Sequence, residues 1–268
     1  MEQENILEIK DLNFGRQVKN TDFNLKVKNN SIHSILFKND QLKKQLLNFL
    51  IGEKVEAKAE LIYQGTVLEN SDVKNLYQNK IYLINQYSAV NPDKDPLGIF
   101  KFNKKGNGEN RSTVFPEMTI AENIYFGREP LKKFLFFKSI DNQKMIEKTA
   151  ELLELLEVKV SPNQKMLELS PLEKQLVELL KTLSCGAEII IIDQAVIELL
   201  EAEKQMFFDF MQKLKQKGIT IIYFTKEIEE VFAVSDFVSV LKEGQNKGTR
   251  KVSELEYNEL ALLLMGRE

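Results

Sequence analysis

The first candidate for chemistry is the stretch FKNDQLKKQ, from Phe37 to Gln45, which joins a β-branched run, SIHSIL, to a helical pattern, LLNFLIG. Many nucleotide-binding proteins place a glycine-rich phosphate loop at such a junction, because bare backbone N–H groups can then approach the phosphates. This stretch contains no glycine. It predicts either a phosphate site that has lost its chemistry or an ordinary helix start, in which Asn39 or Asp40 caps the free N–H groups.

The histidine and the cysteine suggest little further chemistry. His33 is the single histidine and lies in the apolar pattern SIHSILF, so a structural role is expected and a histidine-centred hydrolase triad is not. Cys185 is the single cysteine, which excludes an internal disulfide and a multi-cysteine metal cluster. The sequence therefore assigns no set of metal ligands.

The composition is that of a folded globular chain, with 268 residues of which 43% are hydrophobic and 29% charged. A net charge of −3 gives no broad basic field, so no nucleic acid partner is expected. The start, MEQENILEIK, is not that of a secretion signal, and no apolar run approaches the roughly 18 to 20 residues that span a bilayer. A cytoplasmic protein is expected, with any contact at the inner face of the membrane made through a partner.

Hydrophobic periodicity predicts an α/β protein. Strand patterns at NILEIKDLNF, DFNLKVK, AELIYQG and KIYLINQ make the N-terminal part mostly β. From TIAENIYFG onward the apolar spacing is helical, and the C-terminal half alternates buried strands, such as EIIIID and ITIIYFT, with amphipathic helices. This alternation is typical of a parallel sheet covered on both faces.

The order of elements resembles the nucleotide-binding subunit of ATP-binding cassette (ABC) transporters, particularly the first cassette of the tandem ATPases of bacterial sugar importers. The longest matching strings are TIAENIYFGRE, from Thr119 to Glu129, and the final ELALLLMGRE. The resemblance implies a P-loop-type α/β core with a mostly parallel central sheet, an N-terminal antiparallel β subdomain and a helical subdomain.

The domain organisation that follows is a single ABC-type domain over residues 1–268. Residues 1–87 and 187–268 are predicted to form the β and α/β core, and residues 114–186 the helical subdomain. Residues 88–113 are rich in Lys, Asn, Gly and Pro and show little periodicity, so a flexible insertion is predicted there.

The phosphate loop of that family reads G-x-x-x-x-G-K-[ST]. Phe37 and Leu42 stand at its glycine positions, Lys43 matches the lysine, and Lys44 replaces the Ser or Thr that binds Mg²⁺. The branched side chain of Leu42 is expected to block phosphate, and Asp40 adds a carboxylate to the anion site. Of the four defining residues of this loop, the sequence therefore keeps one, Lys43.

Two further pieces of the family site lie on separate segments. The glutamine that senses the metal and the γ-phosphate corresponds to Gln86, which follows the strand pattern IYLIN. The signature sequence L-S-G-G-Q corresponds to LSPLE, so Ser170 matches while Pro171, Leu172 and Glu173 replace the rest. Ser170 as N-cap and Pro171 in the first turn preserve a helix start. The contacts that the signature glycines of the family make with a phosphate bound by the partner subunit are expected to be lost.

The last two pieces follow buried strands. EIIIIDQ keeps Asp193, which in the family holds Mg²⁺ through water, but has Gln194 where the family has the catalytic glutamate. Because an amide cannot act as a carboxylate base, hydrolysis is expected to be severely impaired. IIYFTKE places Lys226 where the family has a histidine. In place of phosphate, Asp40 or Asp193 is expected to neutralise Lys43.

These departures affect both halves of a site that the family builds between two subunits. They favour a pseudo-ATPase that keeps the cassette fold as a regulatory or scaffolding module, binds ATP and Mg²⁺ weakly or not at all, and has no intact catalytic residue. The alternative is an ATP-binding subunit of a carbohydrate transporter that works with an intact partner cassette. The resemblance implies a membrane permease subunit, an intact cassette or a second copy of the chain as partner. A DNA-binding regulator fits less well, since no helix-turn-helix is evident.

Overall fold

The computed structural model of the protein describes residues 4–14, 23–51, 59–68, 76, 80–85, 114–134, 137–197 and 199–265. Gln86 and the predicted insertion, residues 88–113, lie outside the described residues. The chain forms two compact units. The first comprises Met1–Leu83, Ala187–Gln194 and Met211–Glu268, and the second comprises Ile84–Gly186 and Ala195–Phe210.

The strands of the described residues form three sheets. Their bounds are β1 (Asn5–Leu12), β2 (Phe23–Lys28), β3 (Ile32–Phe37), β4 (Glu60–Tyr63), β5 (Thr66–Val67), β6 (Ile81–Asn85), β7 (Leu131–Phe134), β8 (Phe137–Ile140), β9 (Ile189–Asp193), β10 (Thr220–Thr225), β11 (Phe237–Lys242) and β12 (Gln245–Lys251).

The helices of the described residues are of moderate length, and none is long and apolar enough to cross a membrane. Their bounds are α1 (Asp40–Leu50), α2 (Ile120–Tyr125), α3 (Asn142–Leu155), α4 (Pro171–Ser184), α5 (Glu201–Gln216), α6 (Ile228–Val234) and α7 (Tyr257–Met265), with 3₁₀ turns at Met166–Glu168 and Val252–Glu254.

The central sheet has six strands in the order β12-β11-β3-β10-β9-β6 within the described part of the chain. The pairings of β11 with β3, β3 with β10, and β10 with β9 are parallel, whereas β12 runs antiparallel to β11. Every residue of β3, β9 and β10 is buried, which is why these strands read as unbroken apolar runs. The predicted α/β class with a mostly parallel central sheet is confirmed.

The predicted N-terminal antiparallel sheet is also confirmed. It has the order β2-β1-β4-β5, and inward and outward residues alternate along β2, as expected for a strand with one covered face. Its buried face shares one apolar cluster with α1 and with residues of β3, β9 and β10. This cluster fixes α1 against the sheet.

The second unit contains α2, α3 and α4, as the helical pattern after TIAENIYFG predicts. Helix α2 begins with a capping box, in which Thr119 Oγ1 accepts from the N–H of Glu122 and the carboxylate of Glu122 accepts from the N–H of Thr119. The same unit holds an antiparallel hairpin of β7 and β8 that the periodicity did not predict. LKKFLFFKSI does not alternate apolar and polar residues, so it carries no strand signal.

Candidate functional site

The junction between β3 and α1, where the sequence resembles a phosphate loop, is short. Strand β3 ends at Phe37 and α1 begins at Asp40, so only Lys38 and Asn39 connect them. Phe37 and Leu42, at the two glycine positions of the family motif, are both buried in the apolar core. The side chain of Leu42 thus packs into the core, and the expectation that Leu42 blocks phosphate stays a prediction.

Asn39 caps α1, as one of the two predicted alternatives requires. Its Oδ1 accepts from the N–H of Gln41 at 2.9 Å and from the N–H of Leu42 at 3.1 Å. These N–H groups belong to the first turn of the helix, where an anion would otherwise find its donors. The side chain of Asn39 thus already satisfies two of the N–H groups at the start of the helix.

Replacing Asn39 with alanine is expected to lower the free energy of unfolding by about 1 kcal/mol, because the two N–H groups lose their acceptor. Asn39→Asp keeps an oxygen acceptor at the same position and is expected to stay within about 0.5 kcal/mol of the wild type. Urea denaturation followed by circular dichroism measures both. Equal losses in the two variants would contradict a capping role.

Lys43 and Asp193 form an ion pair between α1 and the end of β9. The Nζ atom of Lys43 lies 2.9 Å from Oδ1 and 2.7 Å from Oδ2 of Asp193, with 12% of each side chain exposed. Burial raises the pKa of Asp193 above its ordinary value, while the ammonium of Lys43 acts in the opposite direction. The prediction that Asp40 or Asp193 neutralises Lys43 is confirmed for Asp193.

Asp40 pairs with a different lysine. Its Oδ2 accepts from Nζ of Lys226 at 2.7 Å, which links the first turn of α1 to the residue that follows β10. The two ammonium groups of Lys43 and Lys226 lie 5.7 and 5.5 Å from the ring centroid of Phe37. Cations at this distance from an aromatic ring are weakly attracted to it. Residues of the phosphate-loop segment therefore contact the residue at the position of the family's histidine.

This second pair was not predicted from the sequence. Asp40 and Lys226 are 186 residues apart, and only the parallel pairing of β10 with β3 brings the end of β10 beside the start of α1. The available signal was weak: two opposite charges occur at motif positions that in the family face one nucleotide. A search for complementary substitutions among the altered motif positions would have found it.

Gln194, at the position of the family's catalytic glutamate, has a left-handed backbone with a φ of 53°. A residue with a Cβ is strained in this region, so the surrounding structure must hold it there. Its backbone N–H donates to the carbonyl of Phe224 at 3.4 Å, and its side chain is half-buried. The amide in this place can donate and accept hydrogen bonds but cannot take up a proton as a carboxylate does.

Ser170 lies in the second unit, where it caps α4. Its Oγ accepts from the N–H of Glu173 at 3.3 Å, and Oε2 of Glu173 accepts from the N–H of Ser170 at 2.8 Å. Pro171 occupies the first turn, as predicted. The carboxylate of Glu173 therefore places negative charge at the end of the helix that attracts anions, and a phosphate at the same point would be repelled.

These contacts test how well the described residues fit ATP and Mg²⁺. The N–H groups at the start of α1 donate to Asn39, Lys43 and Asp193 bind each other, and a carboxylate occupies the start of α4. Within the described residues, no group of three or more His, Cys, Asp or Glu side chains could hold a metal ion. In this structure each of these groups therefore has a partner within its own unit.

The sequence is similar to bacterial ATP-binding proteins of sugar import. It is 32% identical over 246 residues to a protein assigned as a ribose/galactose/methyl galactoside import ATP-binding protein of Halalkalibacterium halodurans, covering 91% of this chain and 42% of that protein. It is 30% identical over 243 residues to the xylose import ATP-binding protein XylG of Moorella thermoacetica, covering 91% and 43%. The chain spans less than half the length of these curated relatives. No protein-family model matches it.

The fold is similar to solved cassettes. A nucleotide-free ATP-binding cassette from an ABC transporter has a TM-score of 0.70 at 21% identity, covering 97% of this chain and 95% of that one. CbiO1 of Clostridium perfringens, part of the ABC transporter complex cbiONQ, has a TM-score of 0.70 at 17% identity, covering 99% and 97%. The sequence relatives show that the chain is homologous to sugar-import ATP-binding proteins, and the structural similarity shows that it has the fold of an ATP-binding cassette (ABC).

Proposed function

We propose that this chain is a cassette that does not turn over ATP and acts as a regulatory or scaffolding subunit of a sugar-import system. The observation that carries the proposal is the closed start of α1, where two residues join strand to helix and Asn39 takes up the first-turn N–H groups. A phosphate would have to displace Asn39 and separate Lys43 from Asp193. Each of these groups already has a satisfactory partner, so nucleotide gains little by binding.

The charges around the start of α1 also have partners within the chain. Asp40 pairs with Lys226, so neither of these groups needs a nucleotide to be neutralised. Gln194 removes the carboxylate base, and Glu173 places a negative charge at the start of α4. A cassette with these features keeps the surfaces that contact other subunits without the reaction. The expected partners are a membrane permease subunit, an intact cassette or a second copy of the chain, in the cytoplasm at the inner face of the membrane.

A second candidate function is that of an ATP-binding subunit that works with an intact partner cassette. The curated relatives are named as ATP-binding proteins, and Lys43, Asp193 and Ser170 are kept at the family positions. In this alternative, binding of ATP breaks the pair of Lys43 with Asp193 and hydrolysis takes place at a site completed by the partner.

Isothermal titration calorimetry with ATP and Mg²⁺ tests the proposal. We expect no saturable heat with the wild-type chain, and no rise in melting temperature at millimolar ATP, since a ligand present at about 100 times its Kd would stabilise the fold by about 2.7 kcal/mol. ATP hydrolysis is expected to equal that of the control variant Lys43→Ala/Asp193→Asn. Hydrolysis clearly above the control would contradict the proposal.

The variant Gln194→Glu separates the two candidates. If the wild-type chain binds ATP and Gln194→Glu raises hydrolysis in the presence of a partner cassette, the ATP-binding subunit is the better description. If neither chain binds ATP, the regulatory or scaffolding role is supported, and co-purification with a permease subunit then identifies the complex.

A further inference from the structure

The β7–β8 hairpin of the second unit exposes apolar side chains on a ribbon of two strands. Leu131 is 57% exposed, Phe137 76% and Ile140 48%. In the described residues, β7 and β8 pair only with each other. A two-stranded ribbon is marginally stable in water by itself, and exposing three large apolar side chains on it adds to the cost.

The same ribbon is strongly basic. Its two strands carry Lys132, Lys133 and Lys138 and no acidic residue, and none of these lysines forms an ion pair with another described residue. The nearest carboxylates along the chain are engaged elsewhere: Glu129 accepts from the N–H of Gly127, and Asp141 caps α3. Both carboxylates keep their charge, so residues 129–141 carry a net charge of +1, with the three lysines on the strands and the two acidic residues outside them.

One pair of lysines is placed unfavourably. Lys133 lies directly opposite Lys138 in the antiparallel register, and like charges in such a pair destabilise a hairpin. Replacing either lysine with glutamate or threonine would remove this repulsion. A negatively charged partner would instead be attracted to both lysines, and its binding would offset their repulsion.

Both faces of the ribbon combine apolar and basic groups. Cross-strand partners share a face and neighbours along a strand alternate, so Leu131 and Ile140 lie on one face with the lysine pair 133/138, and Phe137 lies on the other with Lys132. A protein groove covers one face of a ribbon. A lipid interface surrounds it, so both faces bury apolar groups while the lysine stems extend to the phosphates.

We propose that the β7–β8 hairpin binds directly to the surface of an anionic lipid bilayer. The apolar side chains enter the interface between headgroups and acyl chains, and the three lysines contact lipid phosphates. The outer backbone edges of the ribbon keep it at headgroup depth, because unpaired N–H and C=O groups are not tolerated in hydrocarbon. This contact needs no nucleotide and no permease, so it holds whichever candidate function is correct.

Sedimentation with lipid vesicles tests the proposal. The full chain is expected to bind vesicles of phosphatidylcholine mixed with phosphatidylglycerol, and not vesicles of phosphatidylcholine alone. Each lysine near an anionic surface contributes about fivefold in partitioning, so Lys132→Gln/Lys133→Gln/Lys138→Gln is expected to lower binding by about 100-fold. Phe137→Ser, which leaves the charge unchanged, is expected to lower it by about tenfold.

The matched control changes three exposed lysines outside the hairpin in the same unit, as Lys144→Gln/Lys148→Gln/Lys159→Gln. It removes the same charge and is expected to bind vesicles nearly as the wild type does. Equal losses in the two triple variants would show a general charge effect and overturn the proposal, as would full binding by Phe137→Ser. Binding to soluble poly-glutamate without binding to anionic vesicles would also overturn it, in favour of an acidic protein partner.

Folding is checked separately. The hairpin triple variant removes the repulsion between Lys133 and Lys138, so its melting temperature is expected to equal or exceed that of the wild type. A loss of vesicle binding in a variant that melts no earlier than the wild type therefore reports on the lipid contact and not on damage to the fold.

Discussion

Replacing Lys43 with methionine is expected to lower the free energy of unfolding by about 3 kcal/mol at neutral pH. Methionine keeps most of the apolar stem, so the loss comes from the charge. The carboxylate of Asp193 then remains nearly buried without its partner, in a place where burial already raises its pKa. The ammonium of Lys226 remains near Asp193 and weakly stabilises its carboxylate. The expected loss is therefore at the lower end of the range for removing one partner of a buried ion pair.

The cost of Lys43→Met should depend on pH in a defined direction. Without Lys43 the pKa of Asp193 in the folded protein rises further above its unfolded value. A carboxyl group with a raised pKa contributes stability at low pH that is lost as the pH rises through the folded pKa. Urea denaturation is therefore expected to give a smaller difference between Lys43→Met and the wild type at pH 5 than at pH 7. A difference that does not change with pH would show that packing, and not charge, causes the loss.

The double variant Lys43→Met/Asp193→Leu provides the control. Removing both charges leaves no unpaired ion, so its stability is expected to lie within about 1 kcal/mol of the wild type, although each single variant is destabilised. Such a result would show that the two residues chiefly neutralise each other. If the losses of the single variants simply add, the ion pair seen between α1 and β9 is not an energetic unit.

The fold was predictable where local patterns and tertiary packing agree. The apolar runs of β9 and β10 predicted buried parallel strands, and TIAENIYFG predicted the start of the helical part, where α2 lies. Strand β12 was missed because QNKGTRK is a polar edge strand with no apolar alternation. The β7–β8 hairpin was missed because its exposed apolar residues follow no period. Both failures concern strands that bury little surface, for which hydrophobic periodicity has no signal.

The candidate site was predictable in part. The sequence predicted that an acidic residue would neutralise Lys43, because a cation that has lost its phosphate still needs a partner in a buried place. It predicted a helix start capped by Asn39 or Asp40, and α1 does begin at Asp40. It could not predict that Leu42 turns into the core, since that depends on how the helix packs. The contact of Asp40 with Lys226 depends on the relative positions of two strands far apart in sequence. A contact of this kind, which is set by the tertiary structure, cannot be predicted from a single local motif.

Acidification is expected to destabilise the protein through His33, between about pH 6.5 and pH 4. The imidazole is completely buried in β3, and burial lowers its pKa from 6.5 to about 4. Its Nε2 lies 2.9 Å from Oγ of Ser239, and Nδ1 has no hydrogen-bond partner among the described residues. The site thus holds a neutral ring, and protonation would place an unpaired charge inside the sheet.

The sign and size of this effect follow from linkage. Below pH 6.5 the imidazole of His33 binds a proton in the unfolded chain but not in the folded one. The free energy of unfolding therefore decreases as the pH falls, until the pKa of His33 in the folded protein is reached. A difference between 6.5 and about 4 corresponds to a loss of about 2 kcal/mol at pH 5 and about 3 kcal/mol below pH 4. Since His33 is the only histidine, no other imidazole contributes.

Urea denaturation of the wild type and of His33→Leu from pH 7 to pH 4.5 isolates the effect, because carboxyl groups titrate alike in both. The variant keeps the hydrogen bond between Ser239 and Thr249, and its stability should fall by about 2 kcal/mol less than that of the wild type by pH 5. Parallel curves would show that the ring takes up its proton without cost, and that the buried position of His33 is not maintained as the pH falls.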